Sequence, residues 1–460
     1  MTSIETCPDC ATRGAPLRED KMRVVQSDCI AENLSVSADG TLFFAGQDTA
    51  SLAARYGTPL YLMDEHQIRW RCRQYRTALE NAFGTRCRVL YASKAASFKR
   101  LYEIMAEEGL GVDVVSAGEI ETARRAGFPL GQALFHSNNK TDFDISFAMD
   151  AGVGCFVADN LEELRAVEHE AAKRCAVQDV LLRLTPGIDP HTYAAVATGK
   201  VDSKFGFAIE TGQAADAVAA ALSCPHLRLR GFHCHVGSQV FSADVYIEAA
   251  DVMLRFIAGV QKSCGFAAEV LDLGGGFGVR YTAEQPVLDI PARIAELTAH
   301  LKKEARTLGI SLPEIWLEPG RSIVADAGMT LYTVGTVKRI PGYKTYVSVD
   351  GGMTDNIRTA LYGAKYTILP AGDMFSQRDE VCSVVGRCCE SGDILQENVP
   401  LPSSVGRGDV LACLTTGAYH YSMASNYNRI PRPPVVMLCG GDSYVAVRRE
   451  TLEDIVRFDN

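Results

Sequence analysis

The chain reads as an α/β protein: a (β/α)8 barrel of the TIM type followed by a second, mostly β C-terminal domain of sandwich or barrel-like form. Three observations carry this. Short β-rich runs alternate with longer helical patterns about eight times between Pro59 and Glu318. Residues suited to chemistry fall repeatedly at or just beyond the C-terminal ends of those runs, a distribution that favours a barrel mouth over the single crevice of an open sheet. After about Ala325 strand-like runs take over, separated by turn signals such as Pro341-Gly342 and Gly406-Arg407-Gly408.

In chain order, residues 1–22 carry mixed charge and read as an N-terminal extension outside the folded domains. The runs Arg23–Val25 and Leu42–Phe44 precede the barrel, and segment 23–56 is expected to join the C-terminal β domain. The barrel is assigned to 57–325, with strands at Arg88–Tyr91, Gly111–Val115, Ala133–Phe135, Cys155–Val157, Val180–Leu184, Leu227–Cys234, Val270–Leu273 and Ile315–Glu318. The β domain follows over 326–460, with Thr330–Val337, Thr345–Val349, Glu380–Val385 and Val435–Cys439 as its clearest strands. No internal repeat or low-complexity linker interrupts the chain.

At 460 residues the chain exceeds one ordinary core, and its formal charge of -10 gives no footing for nucleic acid. No stretch is long and apolar enough to span a bilayer, and Met1–Asp20 lacks the apolar segment of a signal peptide, so a cytoplasmic location is expected. The 15 cysteines are expected to be free thiols in a reducing compartment. Cys7-Pro8-Asp9-Cys10 is a lone CxxC without a second pair; it receives no zinc and no function.

The run Leu271-Asp272-Leu273-Gly274-Gly275-Gly276-Phe277-Gly278 ends an apolar strand in three glycines, whose bare N–H groups can wrap a phosphate. It lacks the Lys-Ser/Thr of a nucleotide P-loop and the spacing of a dinucleotide fingerprint, which leaves a smaller phosphorylated cofactor. Lys94, in Tyr91-Ala92-Ser93-Lys94-Ala95, follows another apolar strand, where a desolvated amine would have a lowered pKa and could form a Schiff base. A lysine of that kind together with a phosphate grip is what pyridoxal phosphate requires. In His233-Cys234-His235-Val236-Gly237-Ser238-Gln239 the two histidines share a strand face. No neighbouring carboxylate completes a metal pair, so no metal is assigned; His235 reads either as a ring stacked on the cofactor or as a hydrogen-bonded core histidine. Ser238 could donate to the phosphate. In Glu318-Pro319-Gly320-Arg321 the carboxylate either faces a pyridine nitrogen or simply pairs with Arg321.

In the β domain, Arg358 within Asp350–Tyr362 offers a fork for a carboxylate. Cys388-Cys389-Glu390-Ser391-Gly392-Asp393 offers a thiol able to deliver a proton and a carboxylate able to bind an ammonium group. Tyr419, at the head of the polar, aromatic loop Gly417–Asn428, could reach a phosphate oxygen, or is a packed turn tyrosine.

Taken together, these motifs resemble the diaminopimelate decarboxylases, within the pyridoxal-phosphate-dependent family that also holds ornithine and arginine decarboxylases and shares its barrel with alanine racemase. The resemblance runs from about Arg23 to the C-terminus. It also takes in Asp113–Glu119, His136-Ser137-Asn138-Asn139-Lys140 and Thr198–Gly206. It implies pyridoxal 5′-phosphate as cofactor, Lys94 as the Schiff-base lysine and His235 stacked on the ring. Asp113 and Pro319 would stand at the cofactor, Glu318 on its pyridine nitrogen, and Ser238, Gly274, Gly275, Gly276, Gly320, Arg321 and Tyr419 around its phosphate. Arg321, Arg358 and Tyr362, with Tyr419, would receive the substrate, with Glu390 near its distal amine.

The implied reaction is decarboxylation of meso-2,6-diaminopimelate to L-lysine and CO2, the last step of lysine biosynthesis. The family further implies a homodimer in which Cys389 and Glu390 reach the partner's barrel, with Cys389 or Lys94 returning a proton to the reacting carbon. Thr359 stands where the family usually has proline. The rival readings are a decarboxylase of arginine, ornithine or carboxynorspermidine, a racemase on the same barrel, and a non-catalytic relative that binds the cofactor.

Overall fold

The computed structural model describes residues 22–23, 30–188 and 202–460. Cys7, Cys10, Val25 and the Thr198–Val201 part of the motif above lie outside the described residues. The fold separates into two compact units: Arg71–Val279 with Val287–Ile323, and the described residues up to Trp70 with Arg280–Pro286 and Val324–Asn460.

In the first unit eight parallel strands close into a barrel. They are β1 (Cys87–Ala92), β2 (Gly111–Val114), β3 (Ala133–Phe135), β4 (Cys155–Ala158), β5 (Gln178–Thr185), β6 (Leu227–His233), β7 (Val270–Asp272) and β8 (Glu314–Leu317). Ile315, Trp316 and Leu317 of β8 pair with Cys87, Arg88 and Val89 of β1 and complete the ring. Every strand expected for the barrel overlaps one of these. The helices between them start and stop on local signals. Thr141 and Asp144 form a capping box ahead of Asp142–Ala151, and that helix ends on Gly152 in the left-handed region. Asp289 caps Ile290–Leu308, which ends on Gly309.

The barrel interior follows from the two-residue period of strands. Leu90, Leu134, Cys155, Val157, Leu181, Val270 and Trp316 pack as one buried cluster. Side chains two positions apart share a strand face. Leu134 is therefore followed on the inner face by His136, Val157 by Asp159, Leu181 by Arg183, Val270 by Asp272 and Trp316 by Glu318. An apolar floor thus carries a polar layer at the C-terminal mouth, where His136, Asp159, Asp272 and Glu318 are buried alongside Asp113 and His233.

In the second unit a mixed sheet runs in the order Ile394–Leu401, Glu380–Val385, Lys344–Val349, Gly328–Ile340, Leu60–Asp64, Val435–Cys439, Asp442–Val447. Ile368–Pro370 and Val410–Leu414 attach to it through Gly328–Ile340. Leu60–Asp64, which the sequence counts within the barrel segment, pairs antiparallel with Gly328–Leu331 and parallel with Val435–Leu438. Leu34, Val36, Leu42 and Phe44 pack into one core with Leu60, Leu62, Leu331, Leu414 and Val436. Eleven cysteines among the described residues are free thiols. Cys439 departs from that expectation and is disulfide-bonded.

One buried carboxyl in this unit titrates far from its ordinary range. Burial pushes Asp355 up to about 7, although the Tyr332 hydroxyl and the Gly352 N–H both donate to it. A carboxyl whose folded pKa is raised binds its proton more tightly when folded. Its contribution is complete below the unfolded value and is lost as pH rises through 7. Thermal melts between pH 5 and 8 should therefore show the Tm of the wild type falling more steeply with pH than that of Asp355→Asn. Equal slopes would remove Asp355 as the source.

Candidate active site

Lys94 sits in a single 3-10 turn, Ser93–Ala95, directly after β1. The sequence places this amine in a desolvated strand end; in the structure Lys94 is exposed. The Lys94 charge acts on Asp113, Glu119 and His235. Glu119 belongs to the helix after β2. Its Oε2 accepts the Val115 N–H at 2.7 Å, and burial pushes its carboxyl up to about 7.

Glu318, one residue beyond β8, is the hub of the polar layer. His136 Nε2 lies 2.6 Å from its Oε1 and His233 Nε2 lies 3.1 Å from its Oε2. The two imidazoles meet edge to face with centroids 4.7 Å apart. Burial opposes ionisation of Glu318, but His136 and His233 outweigh it and hold the carboxyl well below its usual range. Burial pushes His233 down to about 3, so it donates as a neutral imidazole. Its proton then belongs on Nε2, and Nδ1 is left as an acceptor without a partner among the described residues. Asp272 behaves in the opposite way to Glu318. Burial, and then the Glu318 charge, drive its carboxyl well above the usual range, while its Oδ1 accepts the Gly274 N–H at 2.8 Å.

The carboxylate missing beside His233 in the sequence is thus Glu318, supplied from another strand end. His136, His233 and Glu318 form the kind of cluster that can hold a metal ion. Each nitrogen already has its own oxygen at hydrogen-bond distance, which accounts for the cluster without an ion. Glu318 is engaged by histidines rather than by Arg321, whose guanidinium donates instead to Ser238 Oγ at 2.9 and 3.3 Å.

The glycine run after β7 has no room for side chains. A Cβ on Gly275 would lie 2.0 Å from the Glu318 carbonyl oxygen, and one on Gly276 would lie 2.2 Å from that of Gly237. Gly274 and Gly276 have φ of +69° and +102°, in the left-handed region. The Gly275 N–H donates to His235 Nδ1 at 3.3 Å, which leaves Nε2 to carry the proton of that ring. Desolvation, reinforced by the Lys94 and Arg183 charges, pushes His235 well below its ordinary value, so it is a neutral, flat surface. Gly320, after β8, packs on Ala92; a Cβ there would approach within 2.9 Å.

Together the segments after β7 and β8 lie where barrels of this kind commonly bind a phosphate. An orphaned acceptor, Asp113 Oδ1, lies buried on the neighbouring wall. An amine, a phosphate cradle, a neutral imidazole plate and an ionised carboxylate on one barrel mouth fit pyridoxal phosphate.

The remaining expected residues lie in the second unit. The Arg358 guanidinium stands 5.2 Å from the Tyr362 ring centroid and 5.1 Å from that of Tyr419, and its Nε donates to the Tyr366 hydroxyl at 3.0 Å. Tyr419 has φ of +62°. Cys389 and Glu390 are exposed on the loop between Glu380–Val385 and Ile394–Leu401. Asp393 holds this loop to the Asp350–Tyr362 segment by accepting the N–H groups of Met353 at 2.6 Å and Cys388 at 2.7 Å. His136, Asp272, Arg183 and Glu119 received no role from the sequence. For His136, Asp272 and Arg183 the available signal was positional, a polar residue two places beyond an inward apolar one; Glu119, on a helix, carried no such signal.

Residues 65–325 match the family model described as "Pyridoxal-dependent decarboxylase, pyridoxal binding domain". The chain is 46% identical over 420 residues to a diaminopimelate decarboxylase of Bacillus subtilis (strain 168), covering 91% of this chain and 95% of that one. It superposes with a TM-score of 0.87 on the crystal structure of a diaminopimelate decarboxylase from M. jannaschii in co-complex with L-lysine, at 32% identity over 93% of this chain and 98% of the other. The Helicobacter pylori diaminopimelate decarboxylase complexed with L-lysine gives a TM-score of 0.81 at 30% identity, covering 90% and 99%. With its barrel, its phosphate corner and a likeness that spans nearly the whole length of these relatives, the chain belongs to the diaminopimelate decarboxylases of the pyridoxal-dependent decarboxylase family.

Proposed function

We propose that the chain decarboxylates meso-2,6-diaminopimelate to L-lysine and CO2, with pyridoxal 5′-phosphate as its cofactor. The observation that carries this is the match between site and family: amine, phosphate corner and ionised carboxylate occupy one barrel mouth in a chain 46% identical to a diaminopimelate decarboxylase. The L-lysine held by two similar structures is the expected product. When bound, pyridoxal phosphate supplies an electron sink for the carbon that loses CO2.

The chain's own residues hold and polarise. Lys94 would supply the amine that holds the cofactor aldehyde. Ser238, Gly274, Gly275, Gly276, Gly320, Arg321 and Tyr419 would hold its phosphate, with Pro319 shaping the turn, and His235 would pack on its ring. Asp113 would stand at the cofactor with its bare Oδ1. Glu318 would pair with the ring nitrogen and favour its protonated form. Arg358, with Arg321, Tyr362 and Tyr419, binds the distal carboxylate, and Glu390 binds the distal ammonium. A distal amino-acid group needs both signs of charge, which separates this substrate from ornithine or arginine.

Cys389 or Lys94 delivers the proton to the carbon that CO2 has left, and Cys389 stands on an exposed loop. Its exposure and that of Glu390 suit delivery to a second copy, so we infer a homodimer in which each site is completed by the partner subunit. The expected setting is the cytoplasm; no helix among the described residues is long and apolar enough to cross a membrane.

The direct assay follows CO2 and L-lysine from purified holoenzyme given meso-diaminopimelate, L,L-diaminopimelate, ornithine or arginine. Lysine from the meso isomer alone is the expected result. Turnover of ornithine or arginine, or of no substrate, would overturn the reading. Borohydride reduction should fix the cofactor to the peptide containing Lys94, and Lys94→Ala should abolish both that adduct and turnover; an adduct elsewhere removes Lys94. Arg358→Ala should raise KM for the substrate by about tenfold or more while kcat changes little, as loss of a charge-assisted pair requires. Mixing inactive Lys94→Ala with inactive Cys389→Ala should restore part of the activity if sites are shared, and none if each chain works alone.

A further inference from the structure

Two histidines that the proposed chemistry leaves unused reach Glu318 from across the barrel. His136 follows β3 and His233 ends β6; neither strand neighbours β8. They take different oxygens of one carboxylate, at 2.6 and 3.1 Å, and both are buried. A carboxylate can accept about four hydrogen bonds, so two sites remain for a third partner. A lone buried carboxylate would take up a proton or swing away, and two donors from different walls remove both escapes.

His136 is the stronger arm. Its contact is the shorter, and the same Nε2 stands 4.0 Å from Asp113 Oδ1, so it lies nearer to Glu318 than to a second carboxylate. Asp272, Asp113, Arg183, Cys234 and His235 also act electrostatically on Glu318.

We propose that His136 is a positioning residue which, with His233, clamps both oxygens of Glu318 so that the carboxylate meets the cofactor's ring nitrogen already oriented. This rests on the reading above that Glu318 faces that nitrogen. His136 touches neither cofactor nor substrate in this scheme and acts through Glu318 alone.

The test compares affinities of the apoprotein for pyridoxal phosphate and for its 1-deaza analogue, in which carbon replaces the ring nitrogen. His136→Leu should weaken binding of pyridoxal phosphate by about tenfold and that of the analogue by no more than about twofold, the difference being one charge-assisted contact. His136→Gln, whose amide nitrogen can stand where Nε2 stands, should restore most of the loss. If His136→Leu does not fold, His136→Asn, whose amide falls short of Glu318, takes its place with the same expected discrimination. Equal losses on both cofactors, or no loss on either, would overturn the clamp. Glu318→Gln separates the two claims. If it discriminates between the cofactors and the His136 variants do not, the clamp alone fails. If Glu318→Gln does not discriminate, the reading of Glu318 fails and the clamp with it.

Discussion

The barrel site depends on one constraint: a single ionised carboxylate, Glu318, is held at the mouth by hydrogen bonds from opposite walls. That arrangement follows from strand geometry. An inward side chain recurs every second residue, so the apolar floor of Leu134, Val270 and Trp316 dictates that His136, Asp272 and Glu318 also face inward. Close packing below leaves the polar layer nowhere to turn but toward its own members. Burial and neighbours then pull the groups apart: Asp272 is pushed well above the usual carboxylate range, His233 down to about 3, and Glu318 is held well below its usual range. Two carboxyls in one buried layer shift in opposite directions because His136 and His233 both stand at hydrogen-bond distance from Glu318.

The phosphate corner obeys a different constraint, that of space. Carbonyl oxygens of Glu318 and Gly237 come so near Gly275 and Gly276 that any side chain there would displace the backbone. The same glycines that clear a cradle for an anion also let the β7 and β8 ends approach each other. In the second unit the anchoring is polar, and Asp393 fastens the loop bearing Cys389 and Glu390 to the segment bearing Arg358.

The barrel was largely legible in the sequence because each strand is a short apolar run closed by turn residues, and all eight were found. Lys94, the glycine run and Glu318 were legible for the same reason, as residues at strand ends. What was not legible is pairing across the barrel. His136 and Glu318 are 182 residues apart, and nothing local marks them as partners. The run Leu60–Asp64 fell inside the expected barrel segment 57–325, and only its pairing with Gly328–Leu331 and Val435–Leu438 assigns it to the β unit.

The central physical claim is that burial and the Glu318 charge favour the protonated form of Asp272, while two imidazoles favour the ionised form of Glu318. Infrared difference spectroscopy between the wild-type and Asp272→Asn apoproteins at neutral pH tests it most directly. The account predicts that the difference spectrum shows the loss of one buried, protonated carboxyl band, the bands of Asp355 and Glu119 being common to both proteins and cancelling. A difference spectrum with no lost protonated-carboxyl band, or with the loss of an ionised carboxylate band in its place, would contradict the account.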